Sequence, residues 1–240
     1  FNTMSLTCGI IGLPNVGKST IFNALTSSSV PAENYPFCTI EPHIGIVPLP
    51  DKRLEVLGDI YNPQKITPAT VEFTDIAGLV KGASLGEGLG NQFLAQIRQV
   101  DAIVHVVRCF EDENVAHVEN SIDPLRDVEL IETELLLADL NTIDKNLLRT
   151  EKLSKSDNAA VSKLEFIKKL KVFCDGGGAA RNYKCTDEEL KFLDELFLLT
   201  SKPIMYVANI NEDELVSGKN SKHSDILLST INKDKGQAMK

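Results

Sequence analysis

The stretch that most limits what this chain can fold into is Gly12-Leu13-Pro14-Asn15-Val16-Gly17-Lys18-Ser19. It follows the short apolar run Leu6-Thr7-Cys8-Gly9-Ile10-Ile11 and leads into Thr20-Ile21-Phe22-Asn23-Ala24-Leu25. The pattern G-x-x-x-x-G-K-S therefore sits between a strand and a helix start, the setting that a phosphate-cradling P-loop needs. A turn of this kind aims unpaired backbone N–H groups, and the positive end of the helix dipole, at an anion. Gly12 and Gly17 allow the tight backbone path. Lys18 is expected to reach the β- and γ-phosphates and the Ser19 hydroxyl to ligate Mg²⁺, with Asn15, Val16, Gly17 and Thr20 completing the contacts to nucleotide.

The order of elements around this loop predicts an α/β fold with a mostly parallel sheet. Strands are expected at residues 44–47, 69–74, 102–107 and 203–208, and helices at 91–99 and 186–199. Between the first helix and residue 44 lies a loop bordered by Pro31, Pro36 and Pro42, which forbid regular helix. In residues 127–150 the period changes. Leu136, Leu140, Ile143 and Leu147 recur at 4-3-4 spacing, and a second helix near 161–173 follows a polar break, which predicts a coiled-coil hairpin. Thr186 with Glu189 three residues later is a capping box. Beyond Glu214 the chain is polar and weakly patterned, and no further strand is expected there.

Composition excludes several classes. A formal net charge of −9 argues against nucleic-acid binding driven by the field of the whole molecule, and no sequence-specific nucleic-acid binding is expected. Five cysteines, odd in number, widely spaced and without a C-x-x-C pair, read as reduced thiols rather than a disulfide frame or zinc site. No apolar run approaches the roughly 20 residues of a membrane span. These features together predict a cytoplasmic protein with no membrane partner.

Asp75-Ile76-Ala77-Gly78, at the end of a predicted strand, is a D-x-x-G motif. Asp75 is placed to hold magnesium through water, and the Gly78 amide to donate to the γ-phosphate. Thr39, in the proline-bordered loop, is the candidate magnesium-binding switch threonine ahead of Thr20 and Thr26. The base site departs from the N-K-x-D of Ras-type GTPases, whose Asp selects guanine. Here Asn209-Ile210-Asn211-Glu212 puts Ile210 in place of Lys and the longer Glu212 in place of Asp. That weakens guanine selection and leaves acceptors such as the Asn209 oxygen for the adenine amine. The residue after D-x-x-G is Leu79 rather than a water-orienting glutamine. Hydrolysis must then be assisted from elsewhere, and His117, in the loop after the fourth strand, is one candidate.

Together these residues resemble the Obg-like ATPase (YchF) family of translation-factor-related P-loop proteins. The resemblance rests on residues 12–19, 34–42, 75–84, 86–93 and 209–212 and runs from about Met4 to Asp213. It implies a G domain made of residues 4–126 and 186–240, with residues 127–185 as a helical coiled-coil insertion. A small β-rich TGS domain that the family carries has no counterpart in these 240 residues. The resemblance also implies Mg²⁺-dependent ATP hydrolysis, often with GTP accepted. It implies a compensating catalytic role for His117 and an activating K⁺ held by Asn15. Association with ribosomes or their subunits follows from the same likeness. The competing reading is a guanine-nucleotide-binding switch with little intrinsic hydrolysis.

Overall fold

The computed structural model describes residues 6–26, 43–76, 78, 88–112, 121–157, 159–233 and 237–240. Six strands form one sheet in the order β2-β3-β1-β4-β5-β6: β1 Leu6–Ile11, β2 Ile44–Pro48, β3 Thr70–Asp75, β4 Ala102–Arg108, β5 Ile204–Asn209 and β6 Gln237–Met239. β2 runs antiparallel to β3 at the edge, and every other pairing is parallel. Strands β1 and β4, flanked on both sides, are apolar almost throughout, as central parallel strands must be. β2 lies at the edge and ends on Pro48, whose missing N–H costs an edge strand little.

Helix α1 (Lys18–Thr26) leaves the loop after β1, and α3 (Gly88–Gln99) buries Phe93, Leu94 and Ile97 with Ile10, Ile103 and Val106 of the sheet. Helix α2 (Lys52–Tyr61) was not expected from the pattern. It is capped by Asp51, which accepts from the Arg53 N–H, and ends at Asn62 in the left-handed region. It buries none of its residues, although Leu54, Leu57 and Tyr61 recur at helical spacing along it.

The expected helical hairpin is α4 (Pro124–Leu153) and α5 (Ala159–Asp175). Asp123 caps α4 and Pro124 starts it, which moves its beginning three residues ahead of the predicted one. Leu136, Leu140, Ile143 and Leu147 pack with Phe166, Ile167 and Leu170, so the 4-3-4 seam is the interface between the two helices. The ion pairs Lys171–Asp144 and Lys168–Glu151 (3.8 Å) bridge the two helices at the surface. The first half of α4 belongs instead to the sheet, because Ile131, Leu135 and Ala138 lie in its core.

Two corrections concern the C-terminal third. The capping box of Thr186 and Glu189 is present, but α6 (Asp187–Asp194) stops five residues short of the predicted end. Residues 199–200 are held elsewhere: Asp139 of α4, almost fully buried, accepts from Leu199 N (2.7 Å), Thr200 N (2.8 Å) and the Thr200 hydroxyl (2.7 Å). Beyond Glu214 the chain is not patternless. After α7 (Glu212–Ser217), helix α8 (Lys222–Lys233) buries Leu227 and Ile231 against Tyr206 and Ala208 of β5, and β6 follows. Leu227 and Ile231 do lie at helical spacing, whereas a three-residue strand is too short to show a pattern.

Between α4 and β5 lies a polar layer. The Tyr206 hydroxyl donates to Glu132 (2.6 Å), which also pairs with Arg181. His105, on β4 beside the Tyr206 ring, is fully buried and neither ring nitrogen has a partner among the described residues. Burial first, then the charges of Arg181 and Lys18, push its pKa down to about 3.

Asp139→Ala removes three acceptor contacts and orphans two buried backbone N–H groups. A loss of about 3 kcal/mol or more in urea unfolding is expected, against a smaller loss for Asp139→Asn. A loss under about 1 kcal/mol would contradict the clamp. His105 stays neutral in the fold while the unfolded chain takes up a proton near pH 6.5, so the unfolded state binds more protons below that pH. Stability should fall as pH drops from about 6.5 toward 3, and His105→Leu should flatten that slope in melts run across the window.

Candidate functional site: a phosphate cradle and a base cleft

The cradle is the turn from β1 to α1. Gly12 passes so close to β4 that a Cβ there would lie 2.5 Å from the Val106 carbonyl oxygen. Gly17 has φ +94° and a Cβ on it would lie 2.3 Å from Asn209 Nδ2. Both glycines are therefore needed, one for close approach and one for conformation as well. Asn15 also takes a positive φ, 61°, which Asn tolerates better than most residues. Val16 is buried and anchors the turn.

Lys18, the first residue of α1, is buried, and its ammonium donates to the Leu13 carbonyl at 2.8 Å. Burial lowers its pKa and the Asp75 carboxylate opposes that shift. The end of the side chain thus stays inside the ring of the loop. Gly78 lies against it, since a Cβ on Gly78 would meet Lys18 Nζ at 3.0 Å and Pro14 N at 3.2 Å. Ser19 Oγ donates to Asp75 Oδ2 at 2.7 Å, joining residues 56 apart in the chain. Expected motif partners from β1, α1 and β3 therefore meet at one corner. A hydroxyl and a carboxylate oxygen side by side are hard donors, the kind Mg²⁺ prefers.

The second half of the site lies one and two strands over. Asn209, at the end of β5, donates its amide nitrogen to the Val16 carbonyl at 2.8 Å. Asn15, Gly17, Thr20, Phe110, Asn209, Ile210 and Asn211 line a cleft of about 440 Å³ beside the cradle. Glu212 is not among them; it is the first residue of α7 and exposed. Asn211 caps that helix by accepting from Glu214 N at 2.8 Å. Of the sequence-based candidates, Asn15, Gly17, Thr20, Asn209 and Ile210 come together here, while Thr39, Leu79 and His117 lie outside the described residues.

Phe110 was missed, and so was Asn211 as a wall of the cleft. Phe110 follows β4 by two residues, and Arg108 at the end of that strand is buried, donates to the Phe110 and Asp112 carbonyls and lies over the Phe110 ring. An aromatic residue at the exit of a buried parallel strand was the available signal, since open α/β sheets bind ligands there. Cys8, Cys109, Cys174 and Cys185 are free thiols. Among the described residues no group of three or more His, Cys, Asp or Glu could hold a metal. No described helix is long and apolar enough to cross a membrane.

Comparison with known proteins agrees with this geometry. The profile of the family described as 50S ribosome-binding GTPase matches residues 7–139. The Ribosome-binding ATPase YchF of Bacillus subtilis (strain 168) is 55% identical over 213 residues, covering 88% of this chain and 58% of that protein. The Ribosome-binding ATPase YchF of Escherichia coli O157:H7 is 52% identical over 211 residues, with the same two coverages. The solved Schizosaccharomyces pombe YchF GTPase superposes with a TM-score of 0.81 at 37% identity, over 98% of this chain and 65% of that one. The chain thus spans 58% of the length of these curated relatives. These likenesses agree: the chain belongs to the 50S ribosome-binding GTPase family, in its YchF branch.

Proposed function

We propose that this chain binds ATP, accepts GTP less well, and cleaves the β–γ bond in a Mg²⁺-dependent manner. The observation that carries the reading is the meeting of Ser19 and Asp75 at 2.7 Å beside the buried Lys18 ammonium. Ser19 would hold the metal directly and Asp75 through water, with Thr39 as the third, loop-borne ligand. Mg²⁺, when bound, supplies neutralisation of charge on the phosphate oxygens. Lys18 offsets charge on the β- and γ-phosphates, and the amides of residues 15–20 donate to phosphate oxygens. The Gly78 amide donates to the γ-phosphate. Catalysis is then mostly positioning and electrostatics held ready in the fold. Asn15 is the candidate holder of K⁺, and His117 the candidate group that handles the attacking water where Leu79 cannot.

The preference for adenine is supported by what Asn209 does with its two ends. Its nitrogen is engaged by Val16, which leaves the oxygen to accept from the adenine amine. Phe110 and Ile210 supply apolar contact for a flat base, and Glu212 stands outside the cleft. A ribosomal partner is proposed on the strength of the relatives' names. The guanine-switch reading has the family description in its favour and is decided by the same experiment.

Side-by-side titration of labelled ATP and GTP should give the lower Kd for ATP, and a clear preference for GTP would sink the base assignment. Ser19→Ala or Asp75→Asn should cut Mg²⁺-dependent phosphate release by roughly 100-fold. His117→Ala should slow release while leaving the ATP Kd unchanged. An unaltered rate would remove His117 from the mechanism.

A further inference from the structure

Arg108 is a charged side chain that the chemistry above does not use. It is 2% exposed, at the last position of β4, in register with Asn209 of β5. Its Nε donates to the Phe110 carbonyl and an Nη to the Asp112 carbonyl, both at 3.1 Å. The guanidinium carbon lies 4.6 Å from the centre of the Phe110 ring, a cation–π distance. One residue on, the Cys109 N–H donates to the Asn209 carbonyl at 2.8 Å. The backbone that carries Phe110 is therefore bonded to the residue whose side chain clasps the P-loop.

Burying a guanidinium is costly unless its donors are well placed, and here two of them are spent on the backbone of the segment that carries Phe110. A rigid planar fork does something a shorter cation cannot: it fixes two carbonyls and a ring relative to one another. We propose that Arg108 is a positioning residue for base recognition, holding the Phe110 ring at a set distance from Asn209 so that the cleft fits a purine. This rests on reading the cleft as the base site. Arg108 acts through Phe110.

The test uses the 240-residue chain with two ligands, labelled ATP and inorganic tripolyphosphate, which lacks a base. Arg108→Lys keeps the charge and loses the fork. It should weaken ATP binding about 10-fold while changing tripolyphosphate affinity less than about twofold. In a Phe110→Ala background the same substitution should have no further effect on ATP. Equal losses for both ligands would make Arg108 a support of the cradle or the fold and overturn the proposal, as would additive losses in the double variant. Should Arg108→Lys not fold, Arg108→Met, which keeps the stem without the hydrogen bonds, is read by the same two ligands. If Phe110→Ala alone leaves ATP affinity untouched, the base reading of the cleft falls, and this proposal falls with it. If Phe110→Ala weakens ATP and Arg108→Lys does not, only the positioning role is lost.

Discussion

Asp139 is a carboxylate almost without contact with water, and its three described hydrogen bonds all go to the two residues that bring the chain toward β5. Burial raises its pKa, while the bonds from Thr200 and Leu199 pull the other way. Such a group is tolerable only when its lone pairs are filled, so the turn at 199–200 has little freedom to move. The consequence runs along the strand. With β5 set at its start, Asn209 at its end meets Val16, and the cradle closes around the base side. Helix α4, through Asp139 and through Glu132 with Tyr206 and Arg181, is thereby part of the framework that places Asn209 beside Val16.

What could be read in advance follows from how local each signal is. The cradle was legible because its requirements are local: two glycines for the backbone path, a lysine, a hydroxyl, and a strand before them. The α4–α5 seam was legible because four apolar residues repeat along a long helix. Helix α2 offered a local signal as well, the cap Asp51 ahead of Leu54, Leu57 and Tyr61 at helical spacing, and was missed. Helix α8 and β6 were missed because their placement depends on β5 and α4, whose contribution no local window contains. Helix α6 was drawn too long for the same reason: Leu196, Leu198 and Leu199 are buried as a helix would bury them, but Asp139 captures the backbone there.

The site divides in the same way. Lys18, Ser19 and Asp75 are named by their motifs and found together. Phe110 has no motif. It matters only because β4 lies next to β5, and adjacency in a sheet is not written in any one segment. The departures in Asn209-Ile210-Asn211-Glu212 were visible, but the split between cleft wall and helix cap needed the α7 start to be known.

The strand order carries a measure of its own. Asp75, the cradle, Phe110 and Asn209 issue from β3, β1, β4 and β5, which are consecutive neighbours in the sheet. Three strand intervals span about 14 Å. That is close to the reach of an extended nucleoside triphosphate from its terminal phosphate to its base. The spacing of the four loops is therefore set by backbone hydrogen bonds, before any side chain is chosen.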